Sequence, residues 1–287
     1  MYCIIGMPAH HSLSPAIQNA AFLKHGIDAV FLAFDVPKER LEGAMLGMRA
    51  YGIKGMTLTS PHKENVIKYV DVVERQALEL GAVNTVVNRK DKLYGYNTDS
   101  PGFVKALKKY GIKKDAIYTV IGAGGAARAL VFGIAREGVK NINIVNRTVE
   151  HAEKLKKDIE ERFRGLNLSV CKLGSEDMEK AVRSSKYLIN ATNITLENRT
   201  ATPVPKNLLN KGMIVFDANY APLDNRLLSD AKSKHCLTIN GLELLVNQGI
   251  VAFELFTGRR FDYSETYRTM MSAAMKAYKE SEKEKKK

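Results

Sequence analysis

The stretch YTVIGAGGAARALVFGIAREG, residues 118–138, decides the fold. An apolar strand runs into Gly122, Gly124 and Gly125, and a helix rich in small residues follows, with Ala126 and Ala127 in its first turn. The spacing fits G-x-G-x-x-[GA], with Ala127 in the third place. Glycines allow the tight strand-to-helix turn, and bare backbone lets N–H groups approach a pyrophosphate at the positive end of the helix. Alone, the motif also suits a tight turn that binds nothing. With a strand before it, a helix after it and a second strand ending near residue 145, it spells a dinucleotide-binding unit.

That second strand ends in IVNRT, residues 144–148. A fold of this kind usually offers Asp or Glu at this point, about twenty residues past the glycines, to the ribose 2'-hydroxyl of NAD. Here Asn146 can hydrogen-bond, Arg147 presents a planar cationic fork suited to a phosphate, and Thr148 is placed to cap the next helix. No carboxylate repels a 2'-phosphate, so the pattern points to NADP as cofactor.

Outward from this unit, short apolar runs alternate with helix-period segments. Strands are predicted at 2–5, 30–34, 56–58, 85–88, 116–121, 141–145, 169–172, 187–189, 213–216 and 237–239. Helices are predicted at 15–25, 38–51, 126–137, 149–163 and 225–234. Repeated βαβ spelling implies α/β architecture, with parallel sheets covered by helices on both faces. A chain of 287 residues, 45% hydrophobic and 26% charged, suits two domains.

Composition also excludes. No window of about twenty apolar residues exists, and MYCIIG begins a strand without a signal-peptide pattern, so the expectation is a cytoplasmic protein with no membrane partner. Cys3, Cys171 and Cys236 stand singly, and no two histidines stand at i, i+4 beside a carboxylate, which predicts buried thiols and no metal. The net charge of +13 is partly the tail KAYKESEKEKKK, read as a solvated helix end fraying into disorder. No recognition helix, finger or RNP-like pattern accompanies the remainder, so no nucleic-acid partner is expected; a field that attracts a small anionic substrate is.

The first hundred residues supply a second set of motifs. In GMPAHHSLSPAIQNAAF (6–22), Ser14 precedes Pro15 as an N-cap precedes a first helical residue. Capping does not explain Ser12. The run Gly6, Pro8, His11, Ser12, Leu13, Ser14, Pro15, Asn19 resembles the N-terminal signature of the shikimate dehydrogenase family. Further blocks resemble that family in the same order: GMTLTSPHK (55–63), GAVNTVV (81–87), GYNTDSPG (95–102), GAGGAARA (122–129), NRT (146–148), DANYAPL (217–223) and GLELLVNQG (241–249). They span almost the whole chain.

The resemblance implies an NADP-dependent oxidoreductase that reduces 3-dehydroshikimate to shikimate in aromatic amino-acid biosynthesis, acting as a monomer or homodimer. It implies an N-terminal α/β substrate domain over residues 1–100, a Rossmann-like doubly wound parallel-sheet NADP domain over 101–237, and C-terminal helices, 238–287, returning to the first. Ser12 and Ser14 would hold the substrate carboxylate; Thr59, Asn84, Gln248 and Tyr220 would contact the carboxylate or ring hydroxyls. Thr192 and Gly241 would join Gly122, Gly124, Gly125, Ala126, Ala127, Asn146, Arg147 and Thr148 around the cofactor. Lys63 and Asp99 would form the catalytic pair.

Chemistry supports that pair independently. Hydride delivery to a ketone leaves an alkoxide that needs a proton and a nearby positive charge, and a lysine supplies both. A carboxylate then orients the ammonium. Taken singly, Lys63 is a surface lysine and Asp99 a helix cap ahead of Pro101. His11 and His62 receive no catalytic role.

Three departures from the family pattern stand out: Thr57 where asparagine is usual, His151 where a second arginine is frequent, and NATNITLENRTATPVP (190–205) without the usual Gly-Met. Two alternatives therefore remain open at this point, a quinate/shikimate dehydrogenase using NAD or both cofactors, and a catalytically idle NADP-binding regulator.

Overall fold

The structure, a computed structural model, describes residues 1–198 and 200–284. The chain divides into two compact units: Met1–Gly102 with the C-terminal helices from Leu245, and Phe103–Leu244.

The first unit contains β1 (Tyr2–Gly6), α1 (Ser14–Lys24), β2 (Phe31–Asp35), α2 (Leu41–Ala50), β3 (Gly55–Leu58), β4 (Val72–Val73), α3 (Arg75–Leu80), β5 (Thr85–Arg89), β6 (Lys92–Tyr96) and the start of α4 (Asp99–Lys108). Its strands form one sheet in the order β2-β1-β3-β5-β6-β4. Leu41, Met45 and Met48 recur at helical spacing on α2 and pack with Cys3, Ile5, Met56 and Leu58, so one helix stripe closes over one sheet face. Burial among these side chains pushes the Cys3 thiol up to about 12.

This sheet corrects the expectation of parallel sheets throughout. β5 runs antiparallel to both β3 and β6, whereas β1 and β3 are parallel. The strand prediction missed β4 and β6, and with β6 the two-residue hairpin that reverses the chain after β5. Lys90 and Asp91 both have positive φ, 53° and 64°, in the turn that joins the paired residues Arg89 and Lys92. Two consecutive left-handed residues match the twist of the flanking strands and reverse the chain at once. Neither residue is glycine; the Asn88 side chain accepts from the Asp91 N–H at 2.9 Å and supports the turn.

The second unit follows α4 with β7 (Ile117–Ile121), α5 (Gly125–Arg136), β8 (Asn141–Asn146), α6 (Val149–Glu160), β9 (Asn167–Lys172), α7 (Glu176–Ser184), β10 (Tyr187–Asn190), α8 (Ile194–Glu197), β11 (Ile214–Asp217), α9 (Arg226–Ser233) and β12 (Leu237–Ile239). All its strand pairs are parallel, in the order β12-β11-β10-β7-β8-β9. This is a doubly wound sheet whose order reverses between β7 and β10. The chain ends with α10 (Leu242–Thr257) and α11 (Tyr263–Glu284).

The unit boundaries fall within helices, after Gly102 in α4 and before Leu245 in α10, rather than at 100 and 238. Residues 237–239 stay with the second unit because β12 pairs with β11. The tail is helical as far as it is described: α11 continues through the alternating charges to Glu284, where Lys276 and Glu280, and Glu280 and Lys283, stand at favourable helical spacings. Residues 285–287 of the tail, and Arg199 of the 190–205 segment, lie outside the described residues. Among the described residues no helix is long and apolar enough to cross a membrane, and no cluster of His, Cys, Asp or Glu is arranged for a metal.

Candidate active site

The hairpin builds the first unit's site. Because β5 is antiparallel, Asn84, just before it, and Asn97 to Asp99, just after β6, come to the same sheet edge as the C-terminal ends of β1 and β3. Backbone bonds fasten the neighbouring loops there: Met7 N–H donates to the Ser60 carbonyl at 3.0 Å, and Val83 N–H donates to the Lys63 carbonyl at 2.8 Å. Gly6 is required at this crossing, since a Cβ on it would lie 2.2 Å from the Thr59 methyl.

Lys63 Nζ donates to Asp99 Oδ2 at 2.7 Å, with the two side chains 27% and 16% exposed. Asp99 is available for this because it caps nothing. Asn97 does that work, its Oδ1 accepting from the N–H groups of Asp99 and Ser100 at 3.1 and 3.2 Å. Asn84 is buried; its Oδ1 accepts from Thr98 N–H at 2.7 Å and its Nδ2 donates to Thr98 Oγ1 at 3.1 Å. Thr98 Oγ1 in turn donates to Gln248 Oε1 at 3.3 Å. Thr98 thus ties two of the expected substrate residues to the loop that carries Asp99. It was missed as a site residue, although it stands inside the NTD block at 97–99.

The helical start at Ser14 differs from the capping expectation. Leu13 occupies the N-cap position with helical φ and ψ and no side-chain capping bond, and Ser14 is the first helical residue. The Ser12 hydroxyl accepts the Ser14 N–H at 3.1 Å. No acidic residue stands in the first turn of α1, so this helix start is left open to an anion. His62 is fully buried and bonds the Val36 carbonyl through Nε2 at 2.7 Å, while His11 is exposed and lies against the His10 ring at a tilt of 56°.

The second unit places the remaining residues. Gly124 is the N-cap of α5 without a side-chain cap, and a Cβ built on Gly124 or Gly125 would meet nothing within 4 Å. Gly122 has φ 116°, and its missing Cβ would approach the Ala191 carbonyl oxygen to 3.0 Å. Ala127 is buried, as close helix-to-sheet packing requires, while Ala126 is exposed. A cavity of about 300 Å³ at the reversal point of the sheet is lined by Gly124, Asn146, Arg147, Thr148, His151 and Thr192, among others. Among the described residues no carboxylate lines it, so Arg147 meets no ion-pair partner in its wall. Open glycines, an uncapped helix start and a guanidinium that meets no carboxylate among the described residues of the cavity wall fit a phosphorylated dinucleotide.

Two side chains are engaged differently from expectation. Asn146 spends its Nδ2 on the Thr148 carbonyl at 2.9 Å, which shapes the turn and leaves its oxygen for a ligand. Thr148 occupies the N-cap of α6, but its side chain makes no capping hydrogen bond. Thr192 donates its hydroxyl to Asn190 Oδ1 at 2.7 Å. Gly241 packs on the turn after β11, where a Cβ would fall 2.3 Å from the Ala218 oxygen. Tyr220 follows in that same turn, on the second unit rather than with Ser12, Thr59 and Gln248 on the first.

An α/β unit with a lysine–carboxylate pair and a doubly wound unit with an open phosphate-binding turn define a nicotinamide-dependent oxidoreductase of two-unit build. The chain belongs to the shikimate dehydrogenase family. Residues 4–86 match the shikimate dehydrogenase substrate binding domain, 105–220 the shikimate / quinate 5-dehydrogenase domain, and 241–271 the shikimate 5'-dehydrogenase C-terminal domain. A shikimate dehydrogenase (NADP+) of Symbiobacterium thermophilum is 42% identical over 262 residues, covering 90% of this chain and 88% of that protein. A crystal structure of a shikimate dehydrogenase in complex with NADP+ superposes with a TM-score of 0.88 at 38% identity, covering 96% of this chain and 94% of the other. The shikimate 5-dehydrogenase of Thermus thermophilus, in complex with NADP(H) and shikimate, gives 0.86 at 36% identity, covering 96% and 98%.

Proposed function

We propose that this chain reduces 3-dehydroshikimate to shikimate with NADPH, reversibly. The observation that carries the reading is the Lys63–Asp99 pair at 2.7 Å, with Asn97 rather than Asp99 taking the backbone N–H groups at the start of α4. The cofactor, when bound, supplies the hydride. Lys63 donates a proton to the oxygen of the ketone as that oxygen gains charge, and its positive charge steadies the alkoxide before transfer. Asp99 keeps the ammonium aimed. Ser12 and Ser14, at the start of α1, bind the substrate carboxylate; Thr59, Asn84 and Gln248 bind carboxylate or hydroxyl oxygens, and Tyr220 is a further substrate contact.

For the cofactor, Gly122, Gly124, Gly125, Ala126 and Ala127 form the pyrophosphate turn, and Arg147 with Asn146 and Thr148 holds the 2'-phosphate. Thr192 and Gly241 stand at the end nearer β10 and β11. The test is reduction of NADP+ by the purified chain with shikimate, run beside quinate and beside NAD+. Turnover with shikimate and NADP+ is expected to exceed the other combinations. A chain that turns over quinate with NAD+ faster, or turns over none of them, overturns the assignment.

A further inference from the structure

The second unit contains a buried carboxylate that the proposed reaction does not use. Asp217 ends β11 and is fully buried. Five donors converge on its two oxygens. Oδ2 accepts from Asn190 Nδ2, Thr195 Oγ1 and Asn225 Nδ2 at 3.2, 3.0 and 2.9 Å. Oδ1 accepts from Asn219 N–H and Asn219 Nδ2, both at 2.9 Å. Among the described residues all these partners are neutral. Burying an acid without a cation is costly, so such a group persists where its hydrogen bonds specify a conformation.

Those donors come from two different loops. Asn190 and Thr195 bracket the segment after β10, and Asn190 Oδ1 also accepts from the N–H and hydroxyl of Thr192. Asn219 and Asn225 belong to the segment after β11, and Asn225 Oδ1 additionally caps α9 through Leu228 N–H at 3.0 Å. Asn219 bridges the two loops directly, its Nδ2 lying 2.7 Å from the Thr192 carbonyl. Its own carbonyl accepts the Gly241 N–H at 3.1 Å. One carboxylate therefore stands behind Thr192, the turn leading to Tyr220, and Gly241. Thr192, Asn193 and Ile194 form a wall of the same cavity that Gly124 and Arg147 line.

We propose that Asp217 is a positioning residue for the dinucleotide: it locks the loops after β10 and β11 into the one arrangement that completes the cofactor cavity wall. This deepens, and rests on, the reading of the second unit as an NADP-binding site. The burial that makes Asp217 costly also pushes its carboxyl above the usual carboxylate range, against the pull of the Asn219, Asn190 and Thr195 hydrogen bonds.

The experiment uses the full-length chain carrying Asp217→Asn, and separately Asn219→Ala. The first sets an amide group among donors that need an acceptor, and the second removes the side chain that reaches the Thr192 carbonyl, Thr195 Oγ1 and Asp217 Oδ1 together while leaving the carboxylate in place. Dissociation constants for NADP+ and for shikimate are measured by calorimetry at a temperature where circular dichroism shows each variant folded. NADP+ binding is expected to weaken about tenfold or more, the factor set by one buried hydrogen-bonding group left unsatisfied, with shikimate binding within about twofold. A purely structural role would lower the unfolding temperature and leave both constants alike. Should Asp217→Asn not fold, Asn219→Ala carries the test by the same selective loss. Wild-type binding of NADP+ with unchanged binding by the folded variants overturns the inference alone; a wild type that binds no NADP+ overturns both it and the functional reading.

Discussion

Two carboxylates at strand or helix ends, one in each unit, live in opposite surroundings. Asp99 is partly exposed and faces a cation, Lys63 Nζ, at 2.7 Å. Asp217 is fully buried and faces amides and a hydroxyl. A partly exposed carboxylate paired with an ammonium suits the proton transfer proposed for it, because its partner carries a transferable proton. One walled in by side chains that are themselves buried, Asn190, Thr195 and Asn225, can hold only architecture. The difference separates the group proposed for chemistry from the group that shapes the cavity.

The largest effect that could break this contrast is at Lys63. Lys63→Ala is expected to lower kcat by roughly 10² to 10⁴, with KM for shikimate changed far less, because it removes the proposed proton donor and keeps the proposed binding groups. Asp99→Asn in the same background is expected to add little, since residues that act as a unit are not lost twice. Steady-state kinetics of the two single variants and the double variant decide it; simple multiplication of the defects would dissolve the pair.

Next in size is Arg147. Charge-assisted bonds of the kind proposed between a guanidinium and a 2'-phosphate are worth about 1.5–3 kcal/mol, so on that proposal Arg147→Leu should weaken NADPH roughly tenfold to a hundredfold. NADH has no such phosphate and should bind as before. Equal losses for the two cofactors in titration calorimetry would make Arg147 structural.

Two glycines sharpen the distinction between shape and ligand. Gly241→Ala drives a Cβ to 2.3 Å from the Ala218 backbone oxygen, and strain of this kind costs about 1–3 kcal/mol, visible as a lower unfolding temperature of the ligand-free chain. Gly125→Ala meets open space, so its unfolding temperature should hold or rise while NADP+ binding falls. Loss of stability at Gly125 would show that its loop is packed rather than poised for a ligand.

The smallest effect concerns pH. Asp71 bonds the Leu93 N–H at 2.6 Å and the Arg49 guanidinium, and these hold its carboxyl below the usual range, the backbone bond most strongly. A group lowered in the folded state contributes stability that is complete above its unfolded value and is lost as pH falls through the folded value. Asp217, raised by burial, acts the other way, and stability falls as pH rises from the ordinary carboxylate value through the raised one. Asp71→Asn should therefore flatten the acid side of a plot of unfolding temperature against pH. An unchanged acid limb would place that dependence on other carboxylates.

Much of the molecule was legible in one dimension. The second unit was read from contiguous residues: glycines 122, 124 and 125 between a strand and a helix, then β8 ending at Asn146 and Arg147. The strand pattern located ten of the strands within one or two residues, because buried parallel strands are short apolar runs. The hairpin was not legible, since Lys90 and Asp91 are not the Asn-Gly or Asp-Gly that usually mark such a turn. Missing it left β6 unread and the first sheet wrongly parallel.

What the sequence by itself determined is therefore whatever depends on neighbours along the chain: the doubly wound sheet, the phosphate-binding turn, the missing acid after β8, and the residue types needed for chemistry. Only the tertiary structure decided which of several competent side chains does each job. Asn97 rather than Asp99 caps α4, Leu13 rather than Ser14 occupies the start of α1, and Thr148 sits at a cap position without capping. Asp217 gains its donors from positions as far away as Asn190, which no local pattern links to it. The physical reason is competition: each polar side chain can bond nearby backbone or distant partners at similar energies, and packing alone selects between them.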